Sequence, residues 1–121
     1  MKTTKKHYEL FKKECLKLQD KYHLGHWDIA FLWENLDEKG FDGAAIDTYY
    51  TKHCTITYDT DIDKENLGGL SLTDYVIESA KHEMTHLLCR DLVSLSYDRH
   101  AQKQELEKQE EALVRKLVKL L

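Results

Sequence analysis

The chain has 121 residues, of which 41% are hydrophobic and 33% charged, with a formal net charge of −4. That length predicts one domain, 1–121, and the composition excludes a disordered tail. The acidic balance disfavours general attraction to nucleic acid or an acidic membrane, whatever a local basic patch such as KTTKKH adds.

Three cysteines, Cys15, Cys54 and Cys89, are an odd number at wide spacing, which argues against a disulfide framework and a Cys-rich zinc module. No run of 18 apolar residues occurs, and MKTTKKHYELFKKECLK lacks the apolar core of a signal peptide. The expected address is therefore cytoplasmic, with no membrane partner.

From about residue 4 to 23, Tyr8, Phe11, Cys15, Leu18 and Tyr22 recur at spacings of three and four. This predicts an amphipathic helix, with Gly25 as its stop signal. From His26 the period becomes two. Trp27, Ile29, Phe31 and Trp33 alternate with Asp28, Ala30, Leu32 and Glu34, which predicts a half-buried strand. EKGFDG is a turn, Ala44 to Tyr50 a second strand, and the alternation of Cys54, Ile56 and Tyr58 a third.

DTDIDKENLGGL reads as a solvated acidic loop. Its Asp59, Asp61 and Asp63 imitate a calcium loop, yet Lys64 replaces the required glycine and Leu70 the closing glutamate. Ser71 and Asp74 then open a second helix expected to reach about Arg90, and a final helix occupies most of 99–121.

His82-Glu83-Met84-Thr85-His86 is an H-E-x-x-H inside the second predicted helix. Four residues make slightly more than one turn, so the two imidazoles project side by side and can share one metal ion. Glu83 is placed to hold a metal-bound water and take its proton. Zinc suits two imidazoles and draws the pKa of such a water towards neutrality. At 100° per residue, Val76, Ile77, Ala80, Met84, Leu87 and Leu88 form one face, and His82, His86, Tyr75 and Ser79 the other.

A catalytic zinc needs a third protein ligand. The downstream candidates are His100, Glu105, Glu107, Glu110 and Glu111. In the last helix Leu106, Leu113, Val114, Leu117, Leu120 and Leu121 define an apolar stripe with Glu110 at its centre and Glu107 and Glu111 on its flank. A carboxylate in such a stripe is costly unless paired, which favours Glu110 as the ligand.

With these residues in place, the chain resembles the zincin group of zinc metallopeptidases. The resemblance is to compact single-domain gluzincins (minigluzincins) and to SprT-like metallopeptidases often carried by phages and prophages. It covers nearly the whole chain: the leading helix, the HWDIAFLW and HCTITYD strands, KHEMTHLL and the closing EEALVRKL helix. The resemblance implies that His82 and His86 bind zinc and that Glu83 is the general base. A gluzincin takes its third ligand from a following glutamate, which maps onto Glu110; an SprT-like protein uses a histidine, which maps onto His100. It also implies that the strand from His53 to Tyr58 is the edge that pairs with an extended substrate.

The expectation is thus an α+β, zincin-like domain of about three strands with an N-terminal helix, the H-E-x-x-H helix and a C-terminal helix. Its expected activity is hydrolysis of peptide bonds in a peptide or protein substrate, with zinc as cofactor and Tyr75 or Tyr97 assisting the oxyanion. The rival expectation is a non-catalytic metal-binding or regulatory module on the same fold.

Overall fold

The computed structural model describes residues 1–40, 43–48, 52–96 and 102–120. Phe41 and Asp42 of the predicted turn, Tyr49 and Tyr50 of the second predicted strand, and Tyr97, Arg99 and His100 lie outside them. Over the described residues the chain is a small α+β protein with three α-helices and a three-stranded mixed sheet. It falls into two compact units, Met1–Met84 and Thr85–Leu121, and the division runs through the second helix.

Helix α1, Lys5–Lys21, opens on a capping box. Thr4 Oγ1 accepts from the His7 backbone N–H, and His7 Nδ1 accepts from the Thr4 backbone N–H. Its end differs from the expected Gly25 stop. His23 takes φ +55°, its N–H donates to the Asp20 carbonyl, and the Leu24 N–H donates to the Gln19 carbonyl. This is the paired hydrogen bonding of a Schellman turn, with a histidine where glycine is usual. The Gln19 side-chain amide donates to the carbonyls of Leu24 and Trp27, tying the turn to the start of the sheet.

Strand β1 is Asp28–Glu34, β2 is Ala44–Thr48 and β3 is His53–Asp59. Along β1 exposed and half-buried residues alternate without a break, as the period of two requires. β3 is paired on both sides, parallel to β1 and antiparallel to β2. The sequence reading made β3 the edge; it is the central strand, and the edges are β1 and β2.

The register aligns Phe31 with Ile56 and Ile56 with Ile46, so these side chains share one sheet face. Helix α1 lies on that face. Phe11 stacks on Tyr58 at 4.6 Å between ring centroids and meets Phe31 edge-on at 6.5 Å, while Tyr8 stacks on Trp33 at 5.7 Å. Phe11, Cys15, Cys54, Ile56 and Tyr58 are fully or almost fully buried there.

The three aspartates of the acidic loop serve the backbone. Asp59 is fully buried, and its Oδ1 accepts from the N–H groups of Leu36 and Asp61. Asp61 Oδ1 accepts from the Met1 amine, and Asp63 caps a short 3-10 turn, Lys64–Leu67, that the loop reading missed. Thr3 fastens the leading segment, donating to the Asp59 carbonyl and accepting from Trp33 Nε1.

Helix α2, Leu72–Ser96, begins where Ser71 Oγ accepts from the Asp74 N–H. It runs a turn and a half past the expected end near Arg90, because no glycine or proline interrupts 90–96. In the second unit α3, Lys103–Leu120, has no fully buried residue. Leu106, Leu113 and Leu120 are half-buried, whereas Val114, Leu117 and Val118 are exposed. No described helix is long and apolar enough to cross a membrane.

Candidate functional site

The H-E-x-x-H sequence lies wholly within α2, so its backbone geometry is that of a formed helix. His82 and His86 are one turn apart, with a rise of about 6 Å between them. Both are exposed. Val76, Ala80, Met84 and Leu87 are fully buried and Leu88 nearly so, which is the core face expected from the sequence, with Ile77 half-buried at its margin.

Glu83 is the residue whose surroundings the sequence did not foretell. Only 6% of its surface is exposed. At 100° per residue it lies about 60° from His86 and about 20° from Val76, on the border between the two faces. Its side chain is close enough to Cys15 of α1 for the carboxylate charge to oppose ionisation of that thiol. Burial is the larger cause of the rise in the Cys15 pKa, followed by Glu83, Cys54 and Glu14. Burial also pushes the neighbouring Cys54 thiol up to about 11. Both cysteines are therefore neutral, packed thiols at neutral pH and poor candidates for nucleophiles or metal ligands as they stand.

Tyr75 and Ser79 share the histidine face, both half-buried. Ser79 Oγ donates to the Tyr75 carbonyl at 2.8 Å, a bond within the helix. The Tyr75 ring lies against Gly43, at the start of β2. Tyr97, the other tyrosine considered for the oxyanion, is outside the described residues.

Among the candidate third ligands, Glu105, Glu107, Glu110 and Glu111 are all exposed on α3. The sequence reading buried Glu110 in the centre of an apolar stripe. In the structure the covered side of α3 is the Leu106–Leu113–Leu120 line, which leaves Glu110 to solvent beside Val114 and Leu117. Glu107 pairs with Lys103 at 3.7 Å and Glu111 with Arg115 at 3.3 Å, each one turn apart. Glu110 makes no ion pair with a described residue. His100 lies outside the described residues. Among the described residues no three His, Cys, Asp or Glu side chains converge as a metal-binding group.

No family model matches the chain, and neither a curated protein nor a solved structure does.

Proposed function

We propose that the protein is a zinc-dependent peptidase of zincin-like fold, with His82 and His86 as metal ligands and Glu83 as general base. One observation carries the reading: two exposed imidazoles stand one turn apart on a formed helix, with a glutamate withdrawn from water between them. Imidazole nitrogens at that spacing suit zinc, and Glu110 is proposed as the third ligand, with His100 and Glu111 as the competing choices.

Bound zinc supplies Lewis acidity towards water and the scissile carbonyl. The chain's own part begins with Glu83, which accepts a proton as the water oxygen bonds to the carbonyl carbon. Glu83 then delivers that proton to the amide nitrogen as the C–N bond breaks, leaving a free acid and a free amine. Main-chain pairing of a substrate with β3, as the sequence suggested, is not open to it, because β3 is paired on both sides.

A second reading, a non-catalytic metal-binding or regulatory module, is favoured by one fact. Glu83 sits beside the neutral thiol of Cys15, in surroundings that suit a purely structural carboxylate as well.

Metal analysis with a Glu83→Gln comparison separates the two. We expect about one zinc per chain, lost in the His82→Ala, His86→Ala double variant, and zinc retained in Glu83→Gln. Cleavage of unfolded protein by the parent, with at least about a hundredfold loss in Glu83→Gln, supports the peptidase. Zinc binding without cleavage supports the binding module. Full zinc loading in the double-histidine variant removes both.

A further inference from the structure

We propose that Arg90 is an anion-binding residue of α2 and that its ligand is a peptide carboxylate. Arg90 lies within α2, one turn beyond His86. The rise between the two residues is about 6 Å, and in projection down the helix they are about 40° apart. Both belong to the compact unit Thr85–Leu121. The inference needs neither zinc nor turnover, so it stands apart from the peptidase reading.

The observation behind it is an unanswered cation. Arg90 is half-buried, and its Nε is closed off from water without a hydrogen-bond acceptor. Among the described residues no carboxylate forms an ion pair with its guanidinium: Glu78 is taken by Lys81, Glu107 by Lys103 and Glu111 by Arg115. Arginine carries five N–H donors and no acceptor, and it keeps its charge. A donor withdrawn from water and left without an acceptor costs free energy that an incoming acceptor returns. The Nε–H and one terminal N–H share an edge of the guanidinium, and that edge matches the two oxygens of a carboxylate. No polar contact with a described residue holds the group in place, so it can turn this edge to a ligand.

The rest of the helix selects among anions. One and two turns away along α2 stand Glu83, His86, Leu87, Val93 and Ser94, with no second lysine or arginine. A single cation with a glutamate two turns away suits a singly charged ligand. Phosphate would bring a second charge that nothing there answers. The net charge of −4 works against polyanions in the same sense. A peptide supplies the fitting group at its C-terminus or on an Asp or Glu side chain.

The test is calorimetric titration of the full chain, in low-salt buffer without added zinc. The probes are acetyl-trialanine, its C-terminal amide, and the amide of an acetylated tripeptide with one aspartate. Acetyl-trialanine should bind about tenfold more tightly than its amide. Arg90→Gln should remove that difference, and Arg90→Lys should keep part of it. Tight binding of the aspartate peptide extends the ligand to acidic side chains, and weak binding confines it to C-termini; either outcome agrees with a carboxylate site. Should Arg90→Gln fail to fold by circular dichroism, the Arg90 Nε–H resonance of the 15N-labelled parent decides: it must shift with the acid and stay with the amide. Equal binding of acid and amide by the parent overturns the proposal, as does a preference that persists in folded Arg90→Gln. Displacement of the peptide by an equal concentration of inorganic phosphate overturns the assignment to carboxylate. Each of these outcomes leaves the peptidase reading to its own zinc and cleavage measurements.

Discussion

At Glu83 an ionisable residue occupies a place that burial statistics give to apolar ones. Burial, and after it the nearby Glu83 carboxylate, keeps the Cys15 thiol protonated. The histidine spacing was plain in the sequence, because i and i+4 share a face in any helix. Burial of the intervening glutamate was not, since it depends on packing against distant segments such as the Cys15 region of α1. The thiols themselves give a stability prediction. Cys54 titrates near 11 in the folded protein against an ordinary 9.0, and Cys15 is also raised. As pH rises the unfolded chain ionises first, so the stabilisation is intact below about pH 9 and declines as pH approaches 11. The urea midpoint should fall over that window, and should fall less in a Cys15→Ala, Cys54→Ala variant. Parallel declines in the two proteins would mean that the thiols contribute nothing to the pH dependence.

The elements show where periodicity suffices and where it stops. β1 keeps its alternation from Asp28 to Glu34 because one face is covered by α1 while the other stays open. β3 begins with the same alternation but is buried at every position from Ile56 to Asp59, since it is central and the leading segment crosses its end. Strand order is set by pairing between distant segments, which no local pattern encodes. The end of α1 was misread for a different reason: Gly25 is the natural stop by composition, yet the left-handed residue is His23. A non-glycine residue in that region costs about 1–2 kcal/mol. His23→Gly should therefore stabilise the protein by about 0.5–1 kcal/mol, read as a higher urea midpoint. Gly25 has no positive φ and nothing within 4 Å of an added Cβ. Gly25→Ala should accordingly change stability by less than about 0.5 kcal/mol. The reverse ranking would show that Gly25 is the true stop.

For the whole molecule, the order of helix, three strands and two helices follows from the sequence, and so does the histidine-bearing face of α2. The composition of a complete metal site does not. It needs a residue from a distant segment, and Glu110, expected to be buried in the apolar stripe, is exposed. Its neighbours on α3 nevertheless favour it. On α3, Glu107 and Glu111 are engaged with Lys103 and Arg115, one turn away in each case. Such pairs contribute a few tenths of a kcal/mol, and a ligand drawn from them must first give up its cation. Glu110 has no such partner among the described residues and stands next to an apolar patch of Val114 and Leu117, a setting that strengthens a charge-assisted bond once water is excluded. Glu110→Ala should weaken zinc binding by about tenfold or more, measured by competition with a chelator of known affinity. Glu107→Ala and Glu111→Ala should leave it within about twofold. His100→Ala is the decisive comparison. Loss of zinc there, with Glu110→Ala still loading fully, would make the third ligand a histidine, as in the SprT-like resemblance, and would leave Glu110 a solvated surface residue.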